Sequence, residues 1–175
     1  EHNLQNFLAA STCSHLMGIS QNQIVKSMKE FKGVEHRLEY VRTINEADYI
    51  NDSKATNIDS VIVAINTYKQ PIVLILGGFN KGANFRLLLP HIKSSHVRDI
   101  VSYGDAGGHI NTALGDAVRS VQVTDLSSAV KKAQLMAAPG DIVLLSPGCA
   151  SYDEFSNFEE RGNHFKSIIK NLAAS

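Results

Sequence analysis

The sequence lacks most of what would mark a secreted, membrane-bound or nucleic-acid-coating chain. It has only two cysteines, Cys13 and Cys149, far apart and without C-x-x-C spacing, which excludes a disulfide framework and a cysteine-paired zinc site. A reducing, cytoplasmic setting is the expectation that follows. Its longest apolar runs, Ile72 to Leu76 and Ile142 to Leu145, fall far short of the ~20 residues a membrane-spanning helix needs, so a soluble chain with no membrane partner is expected. Charge of one sign is missing too: seventeen Lys and Arg offset seventeen Asp and Glu, leaving no overall field to hold nucleic acid. Any anionic partner has to be met by local groups. The seven histidines show neither H-x-x-x-H nor H-x-H spacing, and no metal site wholly within the chain is expected. The start, Glu-His-Asn-Leu-Gln, has no initiator Met and neither the basic nor the apolar part of a signal peptide; it reads as a chain cut from something longer.

With 43% hydrophobic residues in 175, the chain can bury roughly two-thirds of the surface it exposes when unfolded, enough for one full core. Leu4, Phe7, Leu8, Cys13, Leu16 and Met17 recur at helical spacing and predict a helix over Asn3 to Met17 with one buried stripe, ended by Gly18. Ser20 with Gln23 forms a capping-box pattern ahead of a second helix that Gly33 stops. From Leu38 to Ile50 two strands are predicted around the turn Asn45-Glu46-Ala47. Thereafter helices over Ala55 to Tyr68, Phe85 to Ile92, Gly108 to Leu114, Leu126 to Ala137 and Asn157 to Leu172 alternate with strands at Ile72 to Leu76, Ile100 to Tyr103, Val121 to Val123 and Ile142 to Leu145. Strands apolar on both sides and separated by helices predict an α/β fold: a Rossmann-like, mostly parallel sheet with helices on both faces, preceded by a helical pair and a short β-hairpin. The division expected is a helical segment over 1–33 and the Rossmann-like domain over 34–175.

Ligands of such sheets bind beyond the carboxyl ends of the strands, which directs attention to three loops. In Asn51-Asp52-Ser53-Lys54-Ala55-Thr56-Asn57, Asp52 and Ser53 suit a helix N-cap, and Lys54 and Thr56 add an ammonium and a hydroxyl to an anion site there; a plain capped helix is the other reading. In Gly77-Gly78-Phe79-Asn80-Lys81-Gly82-Ala83-Asn84-Phe85, glycines permit close approach and Lys81 suits a carboxylate or phosphate, or the segment is only a tight connection. No G-x-x-x-x-G-K-[ST] phosphate loop occurs anywhere in the chain. In Ser146-Pro147-Gly148-Cys149-Ala150-Ser151, small residues leave room for a ligand and Ser151 can donate to a carboxylate; Cys149 could be proposed as a nucleophile, but no base is visible near it and it reads as a buried structural thiol. Upstream, Arg37 beside His36 suits a phosphate or plain solvent exposure.

Taken together, His2-Asn3-Leu4-Gln5-Asn6, Gly33 to Glu39, Asn51 to Asn57, Gly77 to Phe85 and Ser146 to Gly162 resemble, in order, the C-terminal domain of the Mur ligases, the ATP-dependent amino-acid-adding enzymes of peptidoglycan synthesis. The unaltered N-D-S-K-A-T-N segment is similar to the D-glutamate-adding members. That resemblance implies a reaction in which ATP phosphorylates the carboxylate of UDP-N-acetylmuramoyl-L-alanine and the amine of D-glutamate attacks the acyl phosphate. It implies that Asn6, Arg37, Asp52 and Lys54 contact ATP, that Asp52 and Lys54 are the catalytic pair, and that Thr56, Lys81, Ser151 and Phe158 bind D-glutamate, Phe158 through its backbone. ATP and Mg2+ would be held mainly by a central domain outside this chain, so the chain alone, a monomer, is expected to be inactive. Asn80 and Asn84 depart from the family's usual Asp, Gly148 from its Ala and Tyr152 from its Leu. The alternatives are a related Mur or folylpolyglutamate-type ligase domain, or a non-catalytic Rossmann-like module that binds an anion or a partner.

Overall fold

In the computed structural model, which describes the backbone of residues 2–172 and the side chains of 5–172, the chain divides into two units, Glu1–Gly33 and Val34–Ser175. The first holds helices α1, His2–Leu16, and α2, Gln21–Glu30. Gly18, at φ +85°, turns the chain so that its N–H reaches His15 O at 2.9 Å and that of Ile19 reaches Ser14 O at 3.0 Å, satisfying the last carbonyls of α1. The capping box is present: Gln23 N–H donates to Ser20 Oγ at 3.4 Å, and Ser20 N–H donates back to Gln23 Oε1 at 3.3 Å. Two expectations need correction here. The helix α2 ends at Glu30, before Gly33, because Phe31 is already extended. The apolar stripe of α1 is not buried: Leu8, Leu16 and Met17 are exposed, while the side chain of Leu4 lies outside the described residues.

In the second unit, β1 (Glu39–Ile44) and β2 (Ala47–Asn51) form the antiparallel hairpin. Asn45 and Glu46 both take positive φ, +49° and +61°, the turn conformation that follows the right-handed twist of the strands. The chain continues as α3 (Ile58–Ile65), β3 (Ile72–Gly77), a 3-10 turn (Phe85–Leu88) running into α4 (Leu89–Ser94), β4 (Val97–Tyr103), α5 (Gly107–Leu114), β5 (Arg119–Gln122), α6 (Leu126–Met136), β6 (Ile142–Gly148) and α7 (Phe158–Asn171). The strand order is β1-β2-β6-β3-β4-β5, and every pairing except β1 with β2 is parallel. Because side chains alternate across a strand, Ile72, Leu74, Leu76, Ile100 and Leu144 join Val61, Ile65, Ile110 and Leu114 in one core, beneath α3 and α5. Val73, Ile75, Val101, Val143 and Leu145 join Leu126, Val130, Phe165 and Ile169 in the other, beneath α6 and α7.

Several boundaries differ from expectation: β4 starts at Val97 rather than Ile100, β5 spans Arg119–Gln122 rather than Val121 to Val123, and two elements differ where they meet the carboxyl edge. The helix expected from Ala55 starts only at Ile58, and its N-cap is Asn57, whose Oδ1 accepts the Ser60 N–H at 2.9 Å; it ends at Ile65, not Tyr68. Asp52 and Ser53 do not cap it. The last strand runs three residues past Leu145, and its register with β3 jumps from Ile75–Leu145 to Gly77–Gly148, since Pro147 has no N–H to give the ladder. Threading β6 between β2 and β3 creates the switch point of the sheet and sets the loops after β2, β6 and β3 side by side.

Candidate functional site

Two of those loops, after β2 and β6, are tied together by one side chain. Arg161, in the second turn of α7, is fully buried, and its Nε donates to Ser53 Oγ at 3.0 Å, its Nη1 to Ala150 O at 3.0 Å, and its Nη2 to Ser53 O at 2.8 Å and Cys149 O at 3.1 Å. Ser53 Oγ in turn donates to Phe158 O at 2.7 Å. Among the described residues no carboxylate forms an ion pair with this guanidinium; neutral carbonyls and a hydroxyl hold it in place, in the fork geometry only arginine offers. Gly78 fits the same junction because a Cβ there would lie 2.3 Å from Ala150 O and 3.0 Å from Arg161 Nη1. The loop after β3 is stitched to that after β6 by the Phe79 N–H on Ala150 O at 2.9 Å.

On the β2 side a buried polar network replaces the expected cap. Asp52 is 4% exposed; its Oδ2 accepts from Ser146 Oγ at 2.8 Å and its Oδ1 from the Leu38 N–H at 3.2 Å. Burial raises its pKa to about 6 against the opposing pull of these two bonds and of the Arg37 charge. Asn51 Oδ1 accepts the Ser53 N–H at 3.1 Å, which fixes its Nδ2 as the donor to His36 Nδ1 at 3.0 Å and to Glu39 Oε2 at 3.0 Å. His36 therefore presents an unprotonated Nδ1. Burial, with the nearby Lys166 charge, depresses its pKa, consistent with a neutral ring. Lys54 leaves the network: its Nζ stands 5.1 Å from the centroid of the Phe158 ring.

The third feature is a pocket of about 310 Å³ at the switch point, lined by Thr56, Asn57 and Ile58 from the entry to α3, Lys81 to Ala83 from the loop after β3, and Gly148 to Ala150 from the end of β6. Thr56 and Lys81, 25 positions apart in sequence numbering, thus share one cavity. The loop that carries Lys81 is folded by Asn80, whose Oδ1 accepts the Gly82 N–H at 2.9 Å and the Ala83 N–H at 3.2 Å, and Asn84 caps the following turn by accepting from Arg86 N–H at 3.2 Å. An amide oxygen serves these turns as a carboxylate would, so the two departures from Asp leave the loop's backbone bonds in place. Gly148 is at φ +67°, where an Ala would be strained. Cys149 is buried and its thiol is pushed up to about 12 by burial, which makes it inert at neutral pH.

The residues singled out in the sequence therefore fall into separate groups. Thr56 and Lys81 line the pocket, and Ser151 is buried directly after the lining residue Ala150. Lys54 and Phe158 pair beside it, with the Phe158 carbonyl already taken by Ser53. Asp52 is enclosed, and Arg37 is exposed in the bend ahead of β1. Asn6 belongs to the first unit, on α1. Sequence reasoning assigned no role to Arg161 or Asn51; the only signal for the former was an arginine within the first two turns of a helix that follows a small-residue loop. A larger hollow of about 640 Å³, between Arg86 and the face of α5 carrying His109, is lined by Asn84 but by none of the residues expected to bind ATP or D-glutamate. Among the described residues no group of three His, Cys, Asp or Glu is arranged to hold a metal ion.

A family model described as "Mur ligase, glutamate ligase domain" matches residues 36–149, from His36 through all six strands to Cys149. The UDP-N-acetylmuramoylalanine–D-glutamate ligase of Pelotomaculum thermopropionicum is 45% identical over 173 residues, 98% of this chain and 38% of that protein. The protein of the same name from Chloroherpeton thalassium is 43% identical over 172 residues, 98% of this chain and 36% of its own length. Among solved structures, the UDP-N-acetylmuramate-alanine ligase of Thermotoga maritima matches with a TM-score of 0.71 at 17% identity, over 97% of this chain and 38% of that one, a likeness of fold. The chain spans between a third and two-fifths of the length of the curated relatives it matches. With the sheet, its switch point and the loops after β2 and β3 all inside the matched span, the chain belongs to the Mur ligase family through its glutamate ligase domain.

Proposed function

We propose that this chain is the C-terminal, amino-acid-binding domain of a cytoplasmic ligase that uses ATP to join D-glutamate to UDP-N-acetylmuramoyl-L-alanine in peptidoglycan synthesis. The observation that carries the reading is the pocket shared by Thr56 and Lys81 at the switch point of the sheet. A primary ammonium and a hydroxyl at the entry to α3 suit an amino-acid carboxylate, and Ser151, one residue beyond the lining, suits the second carboxylate. The relatives named as D-glutamate ligases favour glutamate of that hand.

Chemistry of this kind depends on positioning more than on a protein nucleophile. Lys81 and Thr56 hold the amino acid so that its amine is presented for attack on an acyl phosphate formed at the expense of ATP. Lys54 and Arg37, exposed on neighbouring bends, supply positive charge toward the phosphates, and Asp52 keeps the bend of Lys54 in shape by anchoring Ser146 and Leu38. Asn6 and residues 1–33 would form the link toward an ATP-binding domain outside this chain. Mg2+, with ATP, would be held mainly by that outside domain, since among the described residues no group of three His, Cys, Asp or Glu is arranged to hold a metal ion.

The test is a titration of isotopically labelled chain with D-glutamate and, separately, L-glutamate. Amide shifts at Thr56, Lys81 and Ser151 are expected to respond to the D form selectively and to vanish in Lys81→Ala, while the chain alone shows no ligase turnover. Equal response to both enantiomers, or perturbation confined to other residues, overturns the assignment.

A further inference from the structure

Lys81 sits on an exposed loop, and among the described residues no carboxylate forms an ion pair with it. A lysine so placed is flexible, and ordering it for a ligand costs side-chain entropy. One neighbour restrains it: its Nζ stands 5.4 Å from the centroid of the Tyr152 ring, within cation–π range. Tyr152 is 63% exposed and contributes nothing to either core, which is unexpected for so large an aromatic. It also meets the ring of Phe79 edge-to-face, 6.4 Å between centroids at 63°, and Phe79 is sewn to the loop after β6 by its N–H on Ala150 O. Phe79 is also exposed. The two rings thus form a wall that is anchored through Phe79 and whose Tyr152 face meets the ammonium of Lys81, a residue that lines the pocket.

We propose that Tyr152 is a positioning residue for Lys81: its ring holds the ammonium at the mouth of the pocket so that an amino-acid carboxylate meets a cation already in place. The role rests on the D-glutamate assignment above and deepens it. It also couples the loop after β3, which supplies Lys81, to the loop after β6, which supplies Ser151 and Tyr152 side by side.

The experiment compares the chain with Tyr152→Leu and Tyr152→Phe, reading the Lys81 side-chain proton and carbon shifts and the D-glutamate Kd by titration. Ring current is expected to move the Lys81 Hε protons upfield in the unaltered chain and in Tyr152→Phe, and to release them in Tyr152→Leu. The Kd for D-glutamate is expected to weaken about two- to fivefold in Tyr152→Leu, the range of an exposed cation–π contact, and to recover in Tyr152→Phe. A merely structural tyrosine would leave the Lys81 shifts where they were. Identical Lys81 shifts in all three, or D-glutamate bound equally well by Tyr152→Leu, overturns the positioning role alone. A chain that shows no D-glutamate response at Lys81 even without substitution overturns the substrate assignment, and the positioning role falls with it.

Discussion

Asp52 carries an acid into a place where water would normally be needed. Its carboxylate accepts two hydrogen bonds, yet burial outweighs them and lifts its pKa to about 6. The unfolded value is near 3.9, so between pH 4 and 6 the native state binds the extra proton and stability from this group grows as pH falls. Removing the titration isolates the effect: relative to Asp52→Asn, the unaltered chain is expected to gain stability between pH 7 and pH 4, by up to about 3 kcal/mol at 1.36 kcal/mol per pKa unit. Urea unfolding of both at the two pH values measures it, and a pH-independent difference would count against the burial argument. Neither this enclosure nor the Arg161 clamp was legible beforehand. Asp52 meets Ser146 across 94 positions and Arg161 meets Ser53 across 108, and residue type alone made Asp52 an equally good cap for a helix that instead begins five residues later. That Lys81 and Thr56 lie on loops at the pocket was legible because a strand end, and for Lys81 a run of glycines, marks each loop locally.

At the scale of an element, α7 shows why a helix that holds a site is built against its own propensities. Asn157 caps it, accepting the Glu160 N–H at 2.7 Å, and Glu159 and Glu160 favour its N-terminus. In its second turn stands Gly162, at a position where alanine would ordinarily add about 1 kcal/mol of helix stability. Here a Cβ would lie 2.2 Å from His36 Nδ1, on a ring held by Asn51. Gly162→Ala is therefore expected to destabilise by about 1–3 kcal/mol through overpacking, and to become neutral or stabilising in a His36→Ala background. Thermal melts of the four combinations settle the sign; a stabilising single substitution refutes the close-packing account. Elements with a strong local signature, such as the Ser20–Gln23 box, the Asn45-Glu46 turn and the doubly apolar β3 and β6, were legible in the sequence. The first turn of α3 and the exposed stripe of α1 were not, because the former depends on which residue the network leaves free to cap, and the latter on apolar residues that a short helical pair cannot enclose.

Across the whole molecule, the zero net charge hides a segregation. At the amino edge of the sheet Asp99 is clamped by Arg98 at 2.9 Å and Arg119 at 2.5 Å, while Arg98 also reaches Asp141 at 2.9 Å, so charge there is spent internally. At the carboxyl edge the pairing is different: Arg161 is held by neutral carbonyls and Lys54 and Lys81 rest on aromatic faces, while the nearby Asp105 and Asp153 accept the N–H groups of Asn80 and Asp105. Everything that builds this edge lies in 34–175: both cores, all six strands and the three loops. Among the described side chains of residues 5–33, by contrast, none is buried. Deleting 1–33 is thus expected to leave one cooperative unfolding transition, with Tm changed by less than about 4 °C, the shift that ~1 kcal/mol produces in a domain of this size. The same truncated chain should give the same D-glutamate response at Thr56 and Lys81. Calorimetry and titration of the two lengths make the comparison, and loss of the cooperative transition on truncation would show that the helical pair is part of the folding unit that carries the pocket.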